Sequence, residues 1–216
     1  MEPLIEIVGA AASLPLNNVN TDTIAPTRPR AQAGPAAIAE REIDATALFA
    51  PLRYDAQGAP RADFVLNRPG FERATILLAG SNFGCGSSRE QAVWLLADFG
   101  IRCVIAPSFG GIFYDSCFKN GILPVMLPAD QIDLLIAEVG AGAPQSIFSV
   151  EVASGTITTP GGRKLAFDLP EFRRSALLSG LDDIALTLRG SDAIAQFQAR
   201  DRAARPWIYL PMTKTP

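Results

Sequence analysis

A glycine-rich turn between a buried strand and a helix constrains the fold of this chain more than any other segment. The apolar run 74–79 predicts a buried strand. The residues that follow it at helical spacing predict a helix, namely Ala92, Leu95, Leu96 and Phe99. Between them lies the sequence SNFGCGSSREQ, residues 81–91. Such a turn directs backbone N–H groups, hydroxyls and a guanidinium towards one point, which suits a carboxylate or an oxyanion.

The same residues also allow a purely structural interpretation. Ser88 with Gln91, or Ser87 with Glu90, has the spacing of a capping box at a helix N-terminus. A glycine-rich turn before a helix also requires no ligand. The segment alone therefore leaves both interpretations open.

The order of the next predicted elements indicates an α/β fold. Strands at 102–106 and 123–127 alternate with helices at 109–120 and from about Asp130. Together with the first strand and helix, this order is typical of a parallel sheet with right-handed crossovers, a β-α-β-α core. Pro124 indicates either that the last of these strands lies at an edge of the sheet or that the proline is at the entry to the strand.

The pattern changes after Gly142. Three short segments then predict an added antiparallel part, at 149–152, 156–159 and 164–168. Helical segments follow from Glu171 and from Ser191. The first seventy residues or so are less regular because prolines interrupt them. We find no repeat and no linker, and therefore expect a single domain over 1–216 with a helical tail from about 191.

Composition limits the classes of partner. The chain has 216 residues, of which 48% are hydrophobic and 19% charged, as expected of a globular protein. A net charge of −3 gives no electrostatic case for binding nucleic acid or an anionic membrane. No apolar run approaches the roughly 20 residues of a membrane span. Glu2 and Glu6 do not fit a secretory signal, so we expect a cytoplasmic protein.

The chain contains three cysteines and no histidine. The missing histidine excludes Ser-His-Asp and Cys-His catalysis within this chain. Cys85, Cys103 and Cys117 form no CxxC pair, and their odd number argues against a disulfide framework. We interpret them as small, partly buried thiols rather than ligands of an iron–sulfur cluster. The reactivity of Cys85 stays open because it precedes a helix N-terminus.

Several segments resemble one protein family. The sequence NFGCGSSRE at 82–90 resembles the signature of the mobile, "swivel" domain of the aconitase superfamily. A second conserved patch of that family resembles NVNTDTI at 18–24. Further matches follow in the family's order, at 63–67, 104–109 and 180–184. Within the superfamily the chain is most similar to the small subunits of 3-isopropylmalate dehydratases, from about Ile5 to the 190s.

This resemblance implies a swivelling β/β/α domain and a specific reaction. The family's two-chain enzymes isomerise 2-isopropylmalate and 3-isopropylmalate by dehydration and rehydration, in leucine biosynthesis. The resemblance implies a heterodimer in which this chain is inactive alone. It also implies that a [4Fe–4S] cluster lies on the large subunit as the Lewis acid, and that this chain holds no cofactor and no metal.

The resemblance also implies roles for individual residues. Ser87 corresponds to the family's base, which acts as an alkoxide. Ser88 and Arg89 match residues that hold a substrate carboxylate, a task that suits the planar, permanently charged guanidinium. Asp22 lies in the second patch and is expected among the substrate-binding residues, where it orients this cluster; the alternative is a turn or helix-cap aspartate. Gln91 stands where relatives often have histidine, and we expect it to affect packing rather than chemistry.

One loop departs from the family pattern and leaves the substrate open. Relatives usually have an aromatic residue and a leucine in the loop that selects the group on the third substrate carbon, whereas this chain has APTRPRAQ at 25–32. Arg28 either faces solvent or binds an additional anion of the substrate. A related hydro-lyase for another substituted malate, of the methylmalate/citraconate or homoaconitate type, is therefore an alternative. A stand-alone carboxylate- or nucleotide-binding module is another, although Arg89 replaces the third glycine of a GxGxxG motif.

Overall fold

The structure is a computed structural model that describes residues 2–26, 45–142 and 146–209. Within these residues seven strands form one mixed sheet. The strands are β1 (Glu6–Leu14), β2 (Ile76–Ala79), β3 (Cys103–Ala106), β4 (Leu123–Met126), β5 (Ile147–Glu151), β6 (Thr156–Thr158) and β7 (Lys164–Ala166). The predicted α/β class with an added antiparallel part is thus confirmed.

Helices connect and follow these strands. The α-helices of the described residues are α1 (Thr21–Ile24), α2 (Ala50–Arg53), α3 (Glu90–Phe99), α4 (Gly111–Lys119), α5 (Ala129–Gly142), α6 (Glu171–Ser179), α7 (Asp183–Leu188) and α8 (Ser191–Ala204). Short 3₁₀ turns occupy Ala45–Ala47, Val65–Asn67 and Pro206–Tyr209. The sequence predicted helices in the regions of α3 to α6 and α8, and it did not separate α7.

The sheet has two halves that meet at β1. Its strand order is β4-β3-β2-β1-β5-β6-β7. The pairs from β1 to β4 are parallel, and those from β1 through β5 and β6 to β7 are antiparallel. β4 therefore lies at an edge, one of the two positions that Pro124 indicated.

The sequence-based prediction of an irregular N-terminal segment was wrong for β1. This strand has nine residues and lies at the centre of the sheet. Its sequence, EIVGAAASL, is rich in alanine and glycine, which carry a weak strand signal. The small residues have a structural reason at Gly9, where a Cβ would lie 2.3 Å from the Thr75 Oγ1 atom. The Thr75 side chain thus packs where a side chain at position 9 would lie, so β1 lacks the large apolar residue that a hydrophobic pattern would show there.

Apolar burial fixes the parallel half of the sheet. All residues of β2 and β3 are buried, as expected for parallel strands covered on both faces. α3 buries Ala92, Val93, Leu95 and Leu96, the face that the helical spacing predicted in part. α5 packs against β1, β2 and β3. None of the described helices combines the length and the apolar character needed to cross a bilayer.

Parallel pairing places three loops at one edge of the sheet. β1, β2 and β3 run in the same direction, so the residues after Leu14, Ala79 and Ala106 leave the sheet on the same side. In α/β proteins this carboxyl edge is where ligands usually bind. The glycine-rich turn identified in the sequence is the middle one of the three loops.

The chain divides into two compact units, Met1–Gly180 and Leu181–Pro216. The first contains the sheet and α1 to α6. In the second, the Asp182 side chain caps α7 by accepting a hydrogen bond of 2.7 Å from the Ala185 N–H. Asp201 of α8 accepts a hydrogen bond from the Tyr209 hydroxyl, which joins α8 to the 3₁₀ turn after it. The expectation of a single domain over 1–216 stays a prediction.

Candidate active site

The loops after β1 and β2 are joined by backbone hydrogen bonds. The Gly84 N–H donates to the Val19 carbonyl at 2.7 Å, and the Thr21 N–H donates to the Cys85 carbonyl at 2.9 Å. Between these bonds Asn20 and Cys85 form a parallel β-bridge. The two segments that resemble the family's conserved patches are therefore neighbours in space.

The loop after β3 is fixed to the same turn. The Phe83 N–H donates to the Ser108 carbonyl at 3.0 Å, and the Gly110 N–H donates to the Phe83 carbonyl at 2.9 Å. The fully buried Phe83 ring packs edge-on against Phe113 of α4, with ring centroids 5.5 Å apart. Hydrogen bonds to the loops after β1 and β3, and packing of Phe83 against α4, thus hold the backbone that leads to the two serines.

Gly84 occupies a position that only glycine fits. Its φ of +72° is left-handed, and a Cβ there would lie 2.1 Å from the Phe113 Cγ atom. Gly110 is similarly close, since a Cβ there would lie 2.5 Å from the Gly84 carbonyl oxygen. These two glycines let three loops approach one another at the carboxyl edge of the sheet.

Ser87 lies at the meeting point of two polar side chains. The Arg89 Nε donates to the Ser87 Oγ at 3.2 Å. On its other side the Thr21 hydroxyl donates to the Ser87 carbonyl at 2.8 Å and lies 3.4 Å from the Ser87 Oγ. Ser87 itself is exposed, so its hydroxyl is fixed by neighbours yet accessible.

Arg89 joins Ser87 to Asp22. Its Nη2 atom lies 2.5 Å from the Asp22 Oδ1 atom, and the side chains are 27% and 56% exposed. At this exposure an ion pair contributes only about 0.2–1 kcal/mol to stability. We therefore assign the contact a geometric importance, because it fixes the plane of the guanidinium whose Nε contacts Ser87.

The capping-box interpretation of this segment is wrong. α3 begins at Glu90, its N-cap residue is Arg89, and no side chain makes a capping hydrogen bond there. Ser87 and Ser88 precede the cap, so neither has the register of a capping serine. Asp22 does not cap a helix either, since Asn20 caps α1 by accepting from the Thr23 N–H. Arg89 instead contacts both Ser87 and Asp22, and the two serines and Arg89 line a pocket.

The pocket at this site is small. Its volume is about 110 Å³, against the roughly 300–1,000 Å³ of most small-molecule sites. The polar wall is formed by Thr21 and by the turn from Gly84 to Arg89, and the other wall by the start of α4 with Ile112 and Phe113. The Ile112 side chain is 59% exposed. A pocket of this size provides part of a binding site, with a polar side and an apolar side.

The structure brings together four of the five site residues named from the sequence. Ser87, Ser88 and Arg89 line the pocket, and Asp22 contacts it through Arg89. Arg28 lies outside the described residues, as does most of the divergent loop. Sequence reasoning missed Thr21, although the residue lies in the NVNTDTI segment that carried the resemblance. It also missed Ile112, because the spacing of apolar residues along a helix does not indicate that one of them is exposed at a pocket.

The cysteines do not form a metal site. Cys103 and Cys117 are buried, and this burial raises the pKa of both thiols, so they stay protonated. Cys85 is half-buried and lines the pocket. Across residues 2–26, 45–142 and 146–209, no group of three or more His, Cys, Asp or Glu side chains could hold a metal ion.

Two family models match the chain. The model of the aconitase C-terminal domain matches residues 1–130, which include the whole candidate site. The model of the C-terminal domain of 3-isopropylmalate dehydratase small subunits matches residues 183–209, within the second compact unit. The first of these matches supports the swivel type of fold.

Curated relatives match along nearly the entire chain. The 3-isopropylmalate dehydratase small subunit of Rhizobium rhizogenes is 46% identical over 212 residues, 96% of this chain and 99% of the relative. The protein of the same name from Rhodospirillum centenum is 47% identical over 207 residues, 96% of this chain and 98% of the relative.

A solved structure has the same fold. The crystal structure of 3-isopropylmalate dehydratase from Methanocaldococcus jannaschii superposes with a TM-score of 0.59 at 23% identity, covering 90% of this chain and 99% of that one. With the identity and coverage of the curated relatives, the family is established. This chain belongs to the family of 3-isopropylmalate dehydratase small subunits.

Proposed function

We propose that this chain is the small subunit of a two-chain hydro-lyase that interconverts 2-isopropylmalate and 3-isopropylmalate in leucine biosynthesis. The names of relatives at about 45% identity over nearly full length support this proposal. They favour a hydro-lyase over a stand-alone carboxylate- or nucleotide-binding module. We propose the cytoplasm as its location.

The contact between the Arg89 Nε and the Ser87 Oγ carries the proposed mechanism. Dehydration removes a proton from the carbon next to a carboxylate while hydroxide leaves the neighbouring carbon, and the cluster proposed for the large partner would supply the Lewis acid that accepts this hydroxide. A serine hydroxyl is normally too weak an acid to serve as the base. A guanidinium that donates to its oxygen stabilises the alkoxide, because a charge-assisted hydrogen bond favours the ionised form. The alkoxide takes the substrate proton and becomes the hydroxyl again.

Arg89 and Ser88 are proposed to hold a substrate carboxylate. They lie beside Ser87 on one wall of the pocket, so a carboxylate bound there places its α-carbon near the base. Asp22 bears the same charge as that carboxylate and would repel it. We therefore propose that Asp22 orients Arg89 and does not contact the substrate.

The remainder of the active site is proposed to belong to a large subunit. The pocket of about 110 Å³ is too small to enclose a substituted malate, and the described residues offer no group of metal ligands. The residues that the structure describes do not fit an iron–sulfur cluster. We propose that the [4Fe–4S] cluster implied by the family is held by the large partner in a heterodimer.

The choice of substrate is proposed to depend on both walls of the completed site. Ile112 and Phe113 give the pocket an apolar side, which suits an isopropyl group better than a further carboxylate. Arg28 is proposed to contact the substrate from the divergent loop and would favour a more polar acid. Methylmalate/citraconate and homoaconitate-type acids therefore stay alternative substrates.

A serine comparison in the reconstituted pair tests the proposal. Ser87→Ala is expected to abolish turnover of isopropylmalate while binding of the large subunit is unchanged. Ser88→Ala is expected to raise KM more than it lowers kcat. Ser81→Ala serves as the matched control, because it removes the same atoms from the same loop outside the pocket. Near-normal turnover by the Ser87→Ala enzyme would refute the assignment of the base.

Iron analysis tests whether the cluster is held by this chain or by the large partner. After anaerobic reconstitution, this chain alone is expected to bind no stoichiometric iron and to show no dehydratase activity. A stable cluster that disappears on substitution of Cys85, Cys103 and Cys117 would overturn the two-chain proposal.

A further inference from the structure

Thr21 is a buried polar residue whose backbone and side chain both contact the turn that contains Ser87. Its side chain is 2% exposed, next to an exposed Asp22 on the same one-turn helix. Its backbone N–H donates to the Cys85 carbonyl, and its hydroxyl donates to the Ser87 carbonyl at 2.8 Å. The same hydroxyl oxygen lies 3.4 Å from the Ser87 Oγ. Burial of a hydroxyl requires such partners, but it does not require that both lie on one residue.

We propose that Thr21 is a positioning residue for the base: it fixes the Ser87 hydroxyl against the Arg89 guanidinium. This inference rests on the proposed role of Ser87. Thr21 acts through Ser87 and does not itself touch the substrate. Burial and a place in a segment that resembles a conserved patch do not assign this role. The role rests on two contacts of the Thr21 hydroxyl to the same residue, one to the carbonyl and one to the Oγ of Ser87.

The hydrogen-bonding capacity of a threonine hydroxyl explains why the contact orients Ser87. A hydroxyl has one proton and two acceptor lone pairs. The Thr21 proton is directed to the Ser87 carbonyl, so its oxygen can only accept from the Ser87 hydroxyl. The Arg89 guanidinium has no acceptor, so in its contact with Ser87 the Nε donates and the Ser87 Oγ accepts. A neutral Ser87 therefore directs its proton towards Thr21 and a lone pair towards Arg89.

This arrangement also limits movement of the turn. Gly86 has a φ of +92° and no Cβ, so the backbone before Ser87 is intrinsically free. The hydroxyl of Thr21 restrains it from the side of α1, a helix that Asn20 caps at 2.8 Å through the Thr23 N–H. Without this restraint the Ser87 Oγ can leave the line to Arg89. A displacement of about 1 Å is enough to reduce a catalytic rate by about 100-fold.

Two substitutions at Thr21 separate positioning from packing. Thr21→Val keeps the shape and removes the hydroxyl, while Thr21→Ser keeps the hydroxyl and removes a methyl group. In the reconstituted pair we expect Thr21→Val to lower kcat about 10- to 100-fold with KM within about twofold. We expect Thr21→Ser to restore kcat to within about threefold of the parent enzyme. A residue that merely fills the core would give the opposite order.

Thr23→Val is the matched control. It removes a threonine hydroxyl from the same short helix, and that hydroxyl contacts Asn20 rather than Ser87. Turnover by this variant is expected to stay within about twofold of the parent enzyme. An equal loss of kcat in Thr21→Val and Thr23→Val would show that α1 matters only as a unit, and would overturn the proposal.

Crystal structures of the full-length small subunit test positioning without any assay of activity. In Thr21→Val we expect the Ser87 Oγ to move away from the Arg89 Nε, and in Thr21→Ser we expect the parent position. An unmoved Ser87 in Thr21→Val refutes the positioning role, whatever the enzyme does. An inactive parent complex together with a displaced Ser87 refutes the proposed function and leaves the positioning role supported.

Discussion

Replacing Gly84 by alanine tests whether the turn is held as tightly as its contacts indicate. The φ of +72° is unfavourable for any residue with a Cβ, and the added methyl group would lie 2.1 Å from the Phe113 Cγ atom. Phe113 cannot move easily, because it is 3% exposed and packs against both Phe83 and Phe109. The backbone is also fixed, since the Gly84 N–H donates to Val19 at 2.7 Å.

Two separate penalties add at this position. A left-handed conformation costs an alanine roughly 1–2 kcal/mol. Forcing an extra methyl group into a packed core typically costs about 1–3 kcal/mol more. Gly84→Ala is therefore expected to lower the free energy of unfolding by about 2–5 kcal/mol, a large part of the 5–15 kcal/mol of an ordinary domain.

Gly58→Ala is the matched control. Gly58 has a φ of +82°, and a Cβ there would meet no atom within 4 Å. Only the conformational penalty of roughly 1–2 kcal/mol applies, so the difference between the two variants isolates the steric contact. We expect Gly84→Ala to be the less stable of the two by about 1–3 kcal/mol.

Urea unfolding monitored by tryptophan fluorescence measures this difference. The chain has two tryptophans, Trp94 in α3 and Trp207 in the second unit. In a Trp207→Phe background the signal therefore reports on the unit that contains the turn. Equal destabilisation by Gly84→Ala and Gly58→Ala would refute the steric argument, because it would mean that the turn and Phe113 relax at no cost.

Three further predictions concern the completed enzyme. Arg89→Lys is expected to lower kcat/KM on the order of 100-fold, because one ammonium cannot contact Ser87 and hold a carboxylate with two prongs; steady-state kinetics within about twofold of the parent would make Arg89 a structural residue. Grafting the usual family sequence over 25–30 is expected to raise kcat/KM for isopropylmalate relative to methylmalate and homoaconitate-type acids. Ile112→Ala is expected to change the same ratio in the opposite direction. If Ile112→Ala changes it and the graft does not, the apolar wall selects the substrate and Arg28 is merely solvated.

Strong local patterns made most of the fold predictable. β2 and β3 are short, wholly apolar runs bounded by turn residues, and α3 has its apolar residues at helical spacing. β1 was missed because it is rich in alanine and glycine, and at Gly9 the Thr75 side chain fills the space of an absent side chain. A central strand built of small residues gives the pattern search nothing to detect, although it joins the two halves of the sheet.

The candidate site was predictable in composition but not in geometry. Ser87, Ser88 and Arg89 were identified because the motif places them in one turn. The contact of Asp22 with Arg89 and of Thr21 with Ser87 joins residues that are more than sixty positions apart, so no local pattern could provide it. The sequence has the spacing of a capping box, but neither serine caps the helix, because α3 begins two residues after Ser88.

Contacts within this chain hold the residues of the candidate site. Backbone hydrogen bonds link the β1 loop to the turn and the turn to the β3 loop, through Gly84, Phe83 and Gly110. Beyond Gly86, the Thr21 hydroxyl and the Arg89 Nε contact Ser87, so side chains of this chain place Ser87 next to Arg89. The proposed catalytic geometry is therefore preorganised by contacts within this chain, and we propose that a large partner completes the pocket.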